Sequence, residues 1–72
     1  MDVLDFIKDL ANLLNTKNKV PVETYLKAAQ IKKIPYPLTP VRDLIKSGHL
    51  VLDRGPGYAN LVVQSVPLKP VS

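Results

Sequence analysis

Ser47, His49 and Asp53 are the residues of this chain whose types could together move a proton or attack a carbonyl. A nucleophilic triad needs its members hydrogen-bonded in series. Strand alternation along His49-Leu50-Val51-Leu52-Asp53 puts His49 and Asp53 on one face and leaves Ser47 out of line. His49 is the sole histidine and there is no cysteine to act with it, so no catalytic residue, and no enzyme, is expected. Asp2, Asp5 and Asp9 have the oxygen ligands a hard cation takes. Three carboxylates along a solvated helix face account for them without a metal. The run Arg54-Gly55-Pro56-Gly57 lacks both the spacing and the following helix of a phosphate-binding loop. Neither a metal nor a cofactor is expected.

What survives is positive charge and its placement. The 72 residues carry a formal charge of +4. Residues 1–16 hold Asp2, Asp5 and Asp9 against Lys8, a sum of −2. Residues 17–54 hold eight basic side chains against Glu23, Asp43 and Asp53, a sum of +5, and Lys69 follows. An acidic opening and a basic middle point to one face for packing and another for a polyanion. The absence of cysteine fits a reducing compartment. No apolar run reaches the roughly 18 residues of a membrane span. The opening "MDVLDFIKDL" is acidic where a secretory signal is basic. A cytoplasmic protein without membrane contact is the expectation.

The elements that must position these charges follow from periodicity and capping. "DVLDFIKDLANLLN" reads as an amphipathic helix with Asp2 as N-cap and Val3, Phe6, Ile7, Leu10, Leu13 and Leu14 as its apolar stripe. Lys19-Val20 can form a very short strand. "VPVETYLKAAQ" reads as a second helix with Pro21 at its first position and Val22, Leu26 and Ala29 inward, Tyr25 alongside. Pro35 and Pro37 break the chain between Gln30 and Leu38. Thr39 as N-cap and Pro40 at the first position then open a third helix, with Val41, Leu44 and Ile45 inward and a stop at Gly48. "HLVLD" and "YANLVVQSV" read as a hairpin joined by a loop of about four residues. Residues 1–66 are expected as one domain and 67–72 as a flexible, proline-containing tail.

Helix, helix, turn, helix and hairpin, in that order, resemble the winged helix-turn-helix superfamily of DNA-binding domains. "VETYLKAAQ" matches the supporting helix, "TPVRDLIKSGHLVL" the recognition helix running into a strand, and "DRGPGY" the wing. The resemblance covers about residues 3–66 and rests on element order plus one short signature. It departs from the usual turn of three or four residues, which here is longer and holds two prolines.

The resemblance implies an α+β fold of three helices followed by a two-stranded hairpin wing. It implies a non-enzymatic binder of double-stranded DNA: a transcriptional repressor, an accessory factor or an architectural factor. Arg42, Asp43, Lys46 and Ser47 would face outward from helix 3. There Arg42 could reach guanine and Lys46 a phosphate, or Arg42 could instead form a surface ion pair with neighbouring acids. Thr39 would meet a phosphate at the helix start, and Lys32, Lys33 and Tyr36 would touch backbone from the turn, unless Tyr36 instead caps the core beside the two prolines. Arg54 would enter the minor groove from the wing, with Tyr58 on a phosphate or paired across the hairpin. An alternative is a winged-helix module that binds protein, or a subunit of a larger nucleoprotein assembly, with "ANLVVQSV" as an open sheet edge. A homodimer through helix 1 or the sheet edge is a further expectation, and no small-molecule ligand is expected.

Overall fold

The computed structural model describes residues 2–64. Its elements run α1 (Val3–Leu13), β1 (Lys19–Pro21), α2 (Val22–Ile31), α3 (Leu38–Lys46), β2 (Leu50–Gly55) and β3 (Tyr58–Val63). This is an α+β fold, three helices on a three-stranded antiparallel sheet, in an order compatible with a winged-helix layout. The expected tail, residues 67–72, lies outside the described residues.

α1 starts as its sequence dictates. The Asp2 carboxylate accepts from the Leu4 N–H at 3.0 Å, and Asp5 lies in the first turn. Ile7 and Ala11 are buried, with Val3, Leu4, Phe6 and Leu10 packed against them. The end of the expected stripe is corrected: Leu13 is 82 % exposed and Leu14 is exposed too. The helix stops at Leu13 and the chain turns away, so Leu4 and Ala11 take inner places instead.

All three helices end the same way. Behind α1, Asn15 has φ 57° and its N–H reaches Asn12, while the Thr16 N–H reaches Ala11. Behind α2, Lys33 has φ 59°, with its N–H on Gln30 and the Ile34 N–H on Ala29. Behind α3, Gly48 has φ 84°, with its N–H on Ile45 and the His49 N–H on Leu44. Each is the paired bonding of a Schellman stop, in which one left-handed residue reverses the chain. Gly48 is the expected case. Lys33 is the costly one, since a Cβ in this region costs roughly 1–2 kcal/mol.

The third helix begins earlier than expected. Pro37 occupies the cap position, the helix opens at Leu38, and no side chain caps it. Thr39 is thus a first-turn residue, with its N–H on the Tyr36 carbonyl at 3.3 Å. Pro40 falls at the third helical position, still within the turn whose N–H groups have no partner in the helix. Pro21 likewise is a cap and not a first helical residue. The α2–α3 connection shrinks to Lys32–Pro37, six residues.

The sheet order is β1-β3-β2. Lys19 pairs with Val62 and Val20 with Leu61, so the short first strand docks on β3. β3 is therefore the central strand, which corrects its expected place at the edge and explains the burial of Leu61 and Val63. The hairpin is also tighter than expected. Gly55 pairs with Tyr58, leaving the two-residue loop Pro56-Gly57. Proline's fixed φ at the first loop position and φ 81° at Gly57 make a type II combination.

The core closes around Tyr25, which is fully buried together with Ile7, Val20, Ala29, Leu50 and Leu61. Its ring lies 6.1 Å from that of Phe6, tilted at 55°. Its hydroxyl donates to the Pro37 carbonyl. Burial raises its pKa above the ordinary 10.0.

Three outcomes follow from this packing and from the helix stops. Tyr25→Phe leaves the Pro37 carbonyl without that donor and should cost about 1–2 kcal/mol in urea unfolding at neutral pH. Because the folded-state pKa is raised, the hydroxyl's contribution is complete below pH 10 and is lost as pH climbs through the folded value. The gap between wild type and Tyr25→Phe should therefore narrow in alkaline titration. Lys33→Gly should raise stability, by up to ~1 kcal/mol after the greater freedom of the unfolded glycine chain is subtracted.

Candidate nucleic-acid interface

α3 is a helix with two distinct sides. Val41 is buried and Leu44 and Ile45 are half-buried, as expected, while Thr39, Arg42, Asp43, Lys46 and Ser47 are exposed. Residues 38, 41, 42 and 45 form one ridge at helical spacing that faces the hairpin. On the hairpin, Leu50, Leu52 and Arg54 share the face turned toward the helices, and Asp53 points the other way. Between ridge and hairpin runs a groove of about 300 Å³, whose lining includes Leu38, Arg42, Ile45, Leu52, Arg54 and Ala59. Among the described residues, Arg42 and Arg54 are the only charged ones in its lining. Two arginines far apart in sequence thus stand at one apolar slot.

Arg42 was open to a plainer reading, an ion pair with nearby acids. Among the described residues the ion pair present is Lys27–Glu23, at 3.2 Å on the exposed side of α2. Arg42 is not held by Asp43.

The other expected contacts scatter. Lys32 does not face α3's outer side; it lines a second groove of about 330 Å³ with Asp2, Asp5, Asp9, Phe6 and Leu13. Three carboxylates beside it oppose a phosphate there. Lys33 is the left-handed residue that closes α2. Tyr36 is 75 % exposed, so it does not cap the core; Tyr25 fills that place. Tyr58 lies across the hairpin on Gly55. A methyl group placed on Gly55 would meet its ring at 2.6 Å, so the ring shields backbone at the hairpin's tip.

One expectation about chemistry is overturned in its geometry. Ser47 and His49 are hydrogen-bonded, Oγ to Nδ1 at 2.7 Å. The left-handed Gly48 between them brings both side chains to one side, which simple strand alternation ignores. The Ser47 hydroxyl also lies 3.1 Å from the Leu44 carbonyl, within the helix end. Asp53 forms no hydrogen bond to His49 among the described residues, so no third group orients the imidazole.

Two features had no separate signal in the sequence. Leu38, read as loop, and Leu52, read as ordinary strand, are 48 % and 38 % exposed in the α3–hairpin groove. Alternation places Leu52 inward, but it does not say that the helices stop short of covering it. Lys8 and Lys17 also converge, with Asn12, Asn18 and Gln64 around Val63, on a recess of about 460 Å³. Their distance in sequence hides that meeting. Comparison with protein-family models, with curated proteins and with solved structures finds no match.

Shortening Tyr58 tests its structural share. Tyr58→Ala should loosen the hairpin and cost ~0.5–1 kcal/mol, read by chemical denaturation. Amide exchange should quicken at residues 54–59 ahead of the helices.

Proposed function

We propose that this protein is a non-enzymatic, winged-helix binder of double-stranded DNA, acting as a transcriptional repressor, accessory factor or architectural factor in the cytoplasm. The observation that carries the reading is the meeting of Arg42 from α3 and Arg54 from the hairpin at one groove, with no carboxylate in its lining among the described residues. Lys46 lies four residues beyond Arg42 on α3, so it continues along the helix the exposed row that Arg42 begins at the groove. A guanidinium at base-edge distance can give two parallel bonds to guanine, and an ammonium is suited to phosphate. The two-residue turn keeps Arg54 on a stiff ribbon, within reach of a duplex that α3 engages. Thr39 and Ser47 supply hydroxyls at the two ends of the helix. Lys33 and Tyr36 extend the contact along the backbone, whereas Lys32 is withdrawn from it by its acidic surroundings.

A protein-binding role has one specific observation in its favour, the apolar lining of the same groove. DNA binding is favoured over it by the two arginines and by the +5 of residues 17–54.

The measurement is fluorescence anisotropy on mixed-sequence duplexes at several salt concentrations. Affinity should fall steeply with salt, since cations that meet phosphates release counterions. Arg42→Ala should reduce sequence preference more than Lys33→Ala does. Lys46→Ala should weaken binding uniformly and reduce the salt slope by about 1. Lys32→Ala should leave binding close to wild type. Absence of binding at low salt, or binding that ignores salt, overturns the reading.

A further inference from the structure

The α3–hairpin groove has a counterpart on the same molecule. On α1, Asp2, Asp5, Phe6, Asp9, Leu10 and Leu13 lie at offsets of three and four and share one side of the helix. That side alternates carboxylates with apolar surface, and Leu13 is 82 % exposed at its end. Among the described residues of that groove, Lys32 alone offsets the three acids. The groove is built in the opposite sense: apolar walls from Leu38, Ile45 and Leu52, with guanidinium groups at its rim. The two surfaces match in hydrophobicity and are opposite in charge.

We propose that the α1 stripe of one copy docks in the α3–hairpin groove of a second copy. Leu13 and Leu10 would cover Leu38 and Leu52, and Asp5 and Asp9 would meet Arg42 and Arg54. Such burial covers Leu13, Leu38 and Leu52, three of the large apolar side chains that the isolated chain leaves in water. Two different patches make the contact: where both can be engaged by one partner it closes as a two-fold dimer, and where they cannot it runs head-to-tail into a ring or a filament. The stripe spans Asp2 to Leu13, roughly 16 Å at helical rise, against about 10 Å for the ridge from Leu38 to Ile45. The occupant is therefore long enough to cross the groove. Self-association stands by itself. Its exclusion of duplex DNA from the same groove rests on the function proposed above.

Light scattering without nucleic acid reads the contact directly. The average mass should rise above the 8.0 kDa of one chain with concentration and fall back in about 1 M salt, where charges are screened within about 3 Å. A helix variant, Asp5→Asn with Asp9→Asn and Leu13→Ser, should stay at 8.0 kDa. A groove variant, Arg42→Gln with Arg54→Gln, should do the same. Mixed, they should form a 1:1 complex and nothing larger, because each supplies the surface the other lacks. Circular dichroism checks that each variant is folded. Leu13→Ser alone, at an 82 % exposed position, should weaken assembly without disturbing the fold.

A wild type that remains at 8.0 kDa up to ~1 mM, or a mixture that stays monomeric, overturns the proposal whatever the DNA result. Folded variants that self-associate like wild type overturn it too. Saturating duplex should break the mixed complex. A complex that survives on the duplex refutes the shared groove.

Discussion

The hydrogen bond from the buried Tyr25 hydroxyl to the Pro37 carbonyl ties α2 to the start of α3. Pro37 is the cap residue of α3, and no side chain holds that end. The position of α3 against the core is thus set at one end by this bond and by the hydrophobic contacts of Val41, Leu44 and Ile45. A connection of six residues with two prolines is stiff, so anchoring its far end fixes where the helix begins. The ridge of Leu38 and Arg42 faces the hairpin because the helix starts at Leu38. A start two residues later, with Thr39 as the cap, would put Leu38 outside the helix. The groove therefore depends on a buried phenol that is not part of its lining.

The same economy of means ends each helix. Asn15, Lys33 and Gly48 each take a left-handed backbone, and each reverses the chain within three residues. Short reversals matter in a chain this small, since long loops would dilute a modest core. At α3 the reversal also decides side-chain company, by placing Ser47 against His49. Only the glycine advertises its conformation in the sequence. Asparagine is a known second choice, and lysine carries no such mark.

How much was legible divides along that line. The Asp2 cap, the inward residues of α3, the Gly48 stop and the three-helix order could be read because periodicity and backbone chemistry are local. The place of β3 in the middle of the sheet depends on where residues 19–21 dock, and nothing in "YANLVV" records it. The helix start at Leu38 was obscured because Thr39-Pro40 is a sound cap signal that lost to the conformation Pro37 adopts. Arg42 and Arg54 could each be named as candidates. Their meeting, and the displacement of Lys32 to the acidic side of α1, are tertiary facts. Leu52 shows the same limit from the apolar side, since alternation assigns a face but not what covers it.

The central position of β3 has a bearing on how the chain is made. Among the described residues, β1 and β2 each pair only with β3, the last of the three strands in sequence. During synthesis the helices can form as they emerge, but no strand has a partner until Tyr58–Val63 is present. Val20 and Leu50 then find Leu61 and Val63 at the same moment. Completion of the sheet is thus a single late event that joins the two ends of the fold, and it makes the domain's cooperativity depend on its final strand.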